Sequence, residues 1–263
     1  MNCPEIDSVI EIVKRASALM MTREFAIEQK DGVSNIVTSS DIAVQKFLIG
    51  ELSTLLPGCG FICEEEGVLD PDKEFVWVID PIDGTTNYAR GIDHCAISVG
   101  LKHGDDIELG VVYSPSRGEL YSAAKGQGAF CNGKPIHVSD RPFEAGIFCS
   151  ALSVYHKEFA EACSDVILET FSQCNDVRRF GAASVEICFL ARGLCELYFE
   201  MRLMPWDHSA GLIILREAGG VISNLYGNTP SFTHPDLVCA ANSPESHARL
   251  LAILRKHIPE MPY

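Results

Sequence analysis

Apolar residues near the start of the chain recur at helical spacing, with Ile6, Val9, Ile10, Val13 and Ala16 on one stripe. A second helix is predicted over about 41–56, where Ile42, Val44, Phe47, Leu48, Leu52 and Leu55 are the apolar positions and Pro57-Gly58 closes it. The pattern then changes. Residues 75–79 form a β-rich run ending at Asp80, and 95–101, 107–113 and 119–124 read as short strands punctuated by Gly, Pro and Asp, which predicts an antiparallel sheet. After about Gly146 the order becomes strand 147–150, helix 157–171, helix 182–192, strand 195–199 and helix 207–218, the alternation of an α/β lobe. No repeat, low-complexity tract or Gly/Ser-rich linker interrupts the chain. Two lobes are therefore expected, 1–145 and 146–263, joined by an ordinary short connection.

Length agrees with that division, since 263 residues lie near the size at which a single core stops growing, roughly 250 residues. Charge narrows the partners. With 21 Lys plus Arg against 36 Asp plus Glu the formal charge is −15, a field that repels phosphate backbones and anionic lipid surfaces. Nucleic acid and membrane are thus excluded as the main partner, and an anionic substrate would need a cation other than the protein to receive it. The 11 cysteines are odd in number, spread along the chain and without a C-x-x-C pair, so they are not a disulfide framework. The first 21 residues carry scattered charges and read as neither signal peptide nor spanning helix. A reduced, cytoplasmic setting is expected, with most thiols acting as small buried hydrophobes.

Candidate chemistry concentrates in Asp80-Pro81-Ile82-Asp83-Gly84-Thr85-Thr86-Asn87-Tyr88, directly after a predicted strand. Pro81 cannot continue a central strand, so a turn is expected to begin there. Two carboxylates three apart can then point at one spot, while the amides of Gly84, Thr85 and Thr86 stand ready to cradle an anion at a helix start. The residues alone leave open a plain strand-end turn. Glu64-Glu65-Glu66 follows the short apolar run 60–63 and reads as a strand end, with a solvated charge run as the alternative. Asp207, in Trp206-Asp207-His208-Ser209-Ala210-Gly211, opens an apolar helix and in its plainest role is an N-cap. Other chemistries fit poorly. Asp80 and Asp83 are not the Asp-x-Asp of haloacid-dehalogenase-type phosphatases, no Gly-x-Ser-x-Gly elbow is present, His94 and Cys95 would point to opposite strand faces, and Gly126-x-Gly128 lacks the third glycine of a dinucleotide fingerprint.

Taken in order, Glu64-Glu65, Asp80-Pro81-Ile82-Asp83-Gly84-Thr85 and Trp206-Asp207-x-x-Ala210-Gly211 resemble the inositol monophosphatase family of Mg2+-dependent, often lithium-sensitive phosphatases. The resemblance extends to Lys30 and Val37-Thr38-x-x-Asp41, to Gly126-x-Gly128-Ala129-Phe130-Cys131-Asn132-Gly133, and to Glu217-Ala218-Gly219-Gly220. It implies an α/β (α+β) fold of layered α-β-α-β-α sugar-phosphatase type, usually a homodimer. The N-terminal lobe would carry most metal ligands and the C-terminal lobe Asp207 and the substrate contacts.

Carried over residue by residue, the resemblance makes Glu64, Asp80 and the carbonyl of Ile82 ligands of a first Mg2+, and Asp80, Asp83 and Asp207 ligands of a second. A third, weaker ion would sit near Glu64 and Glu65. Hard oxygen donors of this kind suit Mg2+ rather than zinc. The resemblance further gives Thr85 the attacking water, with Asp41 orienting the Thr85 hydroxyl and Glu65 assisting. Gly84 and Thr85 would receive the phosphate, and Asp83, Gly181, Ala183 and Glu200 a small phosphorylated polyol or sugar such as inositol monophosphate. Sibling specificities (fructose 1,6-bisphosphate, a 3′,5′-bisphosphate nucleotide, histidinol phosphate) and a non-catalytic divalent-metal-binding module are the alternatives. Arg178, Arg179 and Arg202 would either hold a second phosphate or pair with acids. Two positions depart from the family pattern: Cys63 replaces a glycine, raising the question of backbone strain, and Ala182 replaces a hydroxyl residue.

Overall fold

A computed structural model describes residues 3–22, 25–29, 36–65, 67–153 and 155–261. Lys30 and Glu66 lie outside the described residues. Helix α1 (Ile6–Met21) buries Val9, Val13 and Ala16 of the predicted stripe, together with Ile12 and Met20. Helix α2 (Ser39–Leu55) packs beside it through Val44, Leu48 and Leu52, whereas Ile42 is exposed rather than apolar-facing as expected. This helix begins two residues earlier than the pattern suggests because Thr38 caps it. The Thr38 hydroxyl accepts from the Asp41 amide while the Asp41 carboxylate accepts from the Thr38 amide at 2.8 Å, a reciprocal box that satisfies otherwise orphan donors. Strands β1 (Ile27–Gln29) and β2 (Ile36–Thr38) form an antiparallel pair just before it.

Eight strands form the larger sheet: β3 (Gly60–Cys63), β4 (Gly67–Leu69), β5 (Phe75–Asp83), β6 (Ala96–His103), β7 (Asp106–Ser114), β8 (Glu119–Ala124), β9 (Ala129–Cys131) and β10 (Lys134–Ile136). Their spatial order is β10-β9-β8-β7-β6-β5-β3-β4, antiparallel throughout except where β3 runs parallel to β5. The expected end of β5 at Asp80 is corrected by the structure. The strand continues to Asp83, with Asp80 opposite Ser98 and Asp83 opposite Ala96, so three steps on β5 match two on β6. The extra residue forms a bulge, which is how Pro81 is tolerated inside a sheet. Helix α3 (Thr85–Ala89) follows at once.

The second sheet has the mixed order β12-β11-β13-β15-β14, from β11 (Ile147–Ser150), β12 (Asp176–Arg178), β13 (Leu197–Leu203), β14 (Val221–Ser223) and β15 (Asp236–Ala241). Helices α4 (Ala160–Phe171) and α7 (Pro244–His257) pack together on its outer face, and α1 and α2 cover the outer face of the larger sheet. Between the sheets lie α5 (Ala183–Ala191) and α6 (Pro205–Glu217). Every residue of α5 is buried, Ser184 and Glu186 included, because the helix lies between the two sheets. The architecture is the layered α-β-α-β-α fold.

Helix α6 reaches its place only because the sheet beneath it is locally bare. A Cβ at Gly110 of β7 would stand 2.6 Å from the Ala210 carbonyl oxygen and 2.7 Å from Ile213 Cγ2. Gly211 faces α5 in the same way, with Ile187 Cγ2 at 2.9 Å from a Cβ placed there. Gly110→Ala should therefore force α6 off the sheet and lower stability by about 1–3 kcal/mol, the usual cost of overpacking, as read from urea unfolding.

Candidate active site

The site is assembled where β3, β5 and the start of α6 meet. Because β3 and β5 run parallel with Cys63 opposite Ile79, the residue after each strand position falls side by side, and the Glu64 amide donates to the Ile79 carbonyl at 3.2 Å. That register brings Glu64 next to Asp80 although they are distant in the chain. Cys63 itself is fully buried at the end of β3 and is not among the residues with positive φ, so glycine is not required there. Asp207 is the third residue of α6 rather than its N-cap. Its carboxylate reaches back to accept from the Met204 amide at 2.7 Å, which anchors the side chain just beyond the end of β13.

Fields rather than ion pairs connect these acids. Burial first, then Glu64, Asp83, Asp207 and Asp41, raise the pKa of Asp80 well above the carboxylate range. Burial, Asp83 and Glu64 do the same to Asp207. Among the described residues no lysine, arginine or histidine forms an ion pair with Asp80, Asp83 or Asp207. Two like charges about 4 Å apart at an effective dielectric near 20 repel by about 4 kcal/mol, so this cluster calls for a cation. Carboxylate and carbonyl oxygens are donors of the kind Mg2+ takes. The fit rests on donor chemistry and charge, because among the described residues no three His, Cys, Asp or Glu side chains already close into an ion cage.

Asp41, fully buried, sits behind Thr85. The Thr85 hydroxyl has two acceptors, the Ile82 carbonyl at 3.0 Å and Asp41 Oδ1 at 3.3 Å. Asp41 Oδ2 is held by the Thr38 hydroxyl at 2.5 Å, and burial raises the Asp41 pKa. Glu65 has its amide fixed by Gln45 Oε1 at 3.0 Å, and its charge contributes to the rise at Asp41. Gly84, with φ of 82°, turns the chain from β5 into α3 in the left-handed region. A Cβ there would stand 2.8 Å from the His94 carbonyl and 3.1 Å from Ala182 Cβ, so residue 182 faces the turn itself.

The far wall comes from the second half of the chain. Asp83 accepts from the amides of Ala183 (3.2 Å) and Ser184 (2.7 Å) and from the Ser184 hydroxyl (2.5 Å), at the N-terminal end of α5 where a carboxylate is favoured. Glu200 accepts from the Tyr198 hydroxyl at 2.8 Å, and its pKa is pushed up to about 7 by burial, opposed by that bond and reinforced by Asp83. All the proposed site residues thus lie in one connected region. Several partners were not legible beforehand. Gln45 and Tyr198 each act through one hydrogen bond to a site group or loop and Ser184 and Glu186 through two, and no spacing marks them. Thr38 entered only as part of the family resemblance, although a Thr-x-x-Asp capping pattern would have marked its role. Tyr155, 59% exposed, is another addition: partial desolvation and then the fields of Glu64, Asp207, Asp80 and Asp83 raise its pKa, which places it over the acidic cluster. Of the nearby arginines, Arg178 pairs with Asp176, Arg202 contacts His156, and Arg179 lowers the pKa of Glu200.

The fold and its carboxylate-lined centre define a layered phosphatase-type protein. The profile of the Inositol monophosphatase family matches residues 3–259, and the chain belongs to that family. It is 32% identical over 244 residues to a Nus factor SuhB of Vibrio cholerae, covering 92% of this chain and 90% of that one. It is 33% identical over 228 residues to an inositol-1-monophosphatase of Mesorhizobium japonicum, covering 84% of each. An IMPase structure from Thermotoga maritima superposes with a TM-score of 0.87 at 26% identity, covering 97% of this chain and 98% of that one. No helix among the described residues is long and apolar enough to cross a membrane.

A further buried acid gives the region a pH dependence. Glu186 is pushed up to about 8, by burial first and then by Glu200. A carboxyl whose folded pKa is raised binds more protons folded than unfolded, so its contribution favours the fold at low pH and is lost as pH rises through the folded value. Between about pH 7 and about pH 8.5 metal-free protein should lose more than about 1 kcal/mol of unfolding free energy, and Glu186→Gln should make that slope shallower in urea titrations, the remainder coming from Glu200 and the other raised carboxyls.

Proposed function

We propose that the protein is a Mg2+-dependent phosphomonoesterase acting on polyol monophosphates of the myo-inositol 1-phosphate kind. The observation that carries this reading is the chain of hydrogen bonds from Thr38 through Asp41 to Thr85, which ends beside Asp80, Asp83 and the Gly84 turn. A protein that only stored an ion would have no use for that chain.

Glu64, Asp80 and the Ile82 carbonyl would hold one ion, and Asp80, Asp83 and Asp207 a second, with a weaker third near Glu64 and Glu65. When bound, Mg2+ supplies Lewis-acid stabilisation of charge growing on the phosphoryl and leaving oxygens and eases deprotonation of water. The chain's own residues do the positioning. The Thr85 hydroxyl directs its proton toward Asp41 and the Ile82 carbonyl, which turns its oxygen lone pairs toward an attacking water. Asp41, held by Thr38, is oriented to take proton density from that hydroxyl. The amides of Gly84 and Thr85 meet the phosphate oxygens, while Asp83, Gly181, Ala183 and Glu200 meet the hydroxyls of the polyol. We also propose that the lobes divide near residue 145, with the site at their junction, and that the subunit pairs as a homodimer. The Vibrio cholerae relative bears the name of a Nus factor rather than of an enzyme, so hydrolysis must be measured directly.

Phosphate release from inositol 1-phosphate, fructose 1,6-bisphosphate, a 3′,5′-bisphosphate nucleotide and histidinol phosphate, with and without Mg2+, tests the reading. Preference for the inositol ester supports it, and the absence of release from every ester would favour a binding module. Thr85→Ala should lower kcat by about 100-fold or more while leaving Mg2+ affinity nearly unchanged, since no ligand is removed. Mg2+ at about 100 times its dissociation constant should stabilise the wild type by about 2.7 kcal/mol. Asp80→Asn should lose most of that melting-temperature gain and nearly all turnover, with its far-UV circular dichroism unchanged.

A further inference from the structure

Residues 180–182, which lead into the proposed polyol wall, belong to no strand or helix, and α5 begins only at Ala183. Buried backbone polar groups outside regular structure must find partners elsewhere. Here side chains from two directions supply them. Asn87, on α3, donates its Nδ2 amide to the carbonyls of Phe180 (2.8 Å), Gly181 (3.3 Å) and His94 (2.8 Å). Glu186, on the first turn of α5 and 2% exposed, accepts through Oε1 from the amides of Phe180 (2.9 Å) and Gly181 (2.7 Å). Both the donor and the acceptor of Phe180 and of Gly181 are therefore held by side chains, and Asp83 holds the amides of Ala183 and Ser184.

The phosphate turn is fixed by the same contacts. Gly181 has φ of 83° and Gly84 has φ of 82°, and a Cβ on Gly84 would lie 3.2 Å from the Gly181 carbonyl oxygen. The two turns pack against each other, which sets where the wall stands relative to the phosphate turn. Asn87 stands in the helix that begins at Thr85, which makes it a strut between the turn that would meet the phosphate and the wall that would meet the polyol.

We infer that Asn87 and Glu186 are positioning residues that set the distance between the phosphate cradle at Gly84 and Thr85 and the polyol wall at 181–183. The inference deepens the phosphatase reading and rests on it for its kinetic consequences. An ester with no hydroxyls touches only the cradle, whereas a polyol ester must span cradle and wall. Loosening the wall should therefore weaken recognition of the polyol and leave chemistry at phosphorus nearly intact.

The test compares inositol 1-phosphate with p-nitrophenyl phosphate in Mg2+-loaded enzyme. Glu186→Ala and Asn87→Ala should each raise KM for the inositol ester by about 10-fold with kcat within about 3-fold, and change kcat/KM for the aryl ester by less than about 3-fold. Glu186→Gln keeps an acceptor oxygen for the two amides and should restore the wild-type KM. A second readout needs no turnover: hydrogen–deuterium exchange across 180–184 should quicken in both alanine variants and stay slow in Glu186→Gln. Equal losses on both esters, a Gln variant as impaired as the alanine one, or unchanged exchange in the alanine variants would overturn the assignment. A wild type that hydrolyses neither ester, with exchange responding as expected, would overturn the phosphatase reading and support the strut.

Discussion

Asp83 is the residue on which both halves of the molecule converge. It ends β5 of the larger sheet and accepts three hydrogen bonds from the start of α5, which leads into the second sheet. A carboxylate that far from water is costly unless its lone pairs are satisfied, and the amides of Ala183 and Ser184 at a helix start provide that. The same group lies within the field of Asp80 and Asp207. Geometry that joins the larger sheet to α5 is thereby also geometry that concentrates negative charge beside that joint.

That coincidence explains the layering around it. Strand β3 runs parallel to β5 and so delivers Glu64 beside Asp80. The glycines at 110 and 211 let α6 sit close to the sheet and to α5, which brings Asp207 to the same end. Each of these is a packing solution, and each also moves an acid toward one place. The cluster raises its own pKa values and leaves the metal-free protein short of positive charge, in a chain whose net charge is already −15. A divalent cation would relieve the repulsion and receive an anionic ester. A chain of this charge could not otherwise attract one.

The second half of the site works by hydrogen bonds rather than by charge. Phe180 and Gly181 are pinned by Asn87 and Glu186, and Glu200 by Tyr198. Buried hydrogen bonds of this kind stiffen the wall, because each broken bond leaves a desolvated partner behind, although Glu186 Oε2 itself has no partner among the described residues. Rigidity here is useful to a site that must hold two parts of one small molecule at a fixed separation. It also means that Glu186, which no substrate would touch, can influence recognition.

The sequence by itself determined the helices α1 and α2, the strand run from β5 to β8, the acidic motifs and the family they resemble, since hydrophobic period and short motifs are local properties. It placed the start of α2 at Asp41, two residues late, because the reciprocal cap between Thr38 and Asp41 went unread. It misjudged the end of β5, because a bulge depends on the partner strand and not on Pro81 alone. It left Cys63 as a question of strain that the extended backbone at the end of β3 removes. Only the tertiary structure decided that Glu64 lies beside Asp80, that Asp207 anchors to Met204, and that Asn87, Ser184 and Glu186 tie the two turns together. Those facts depend on register and on contacts between residues up to about a hundred positions apart, and a side chain's partner across such a distance leaves no periodic trace in the chain.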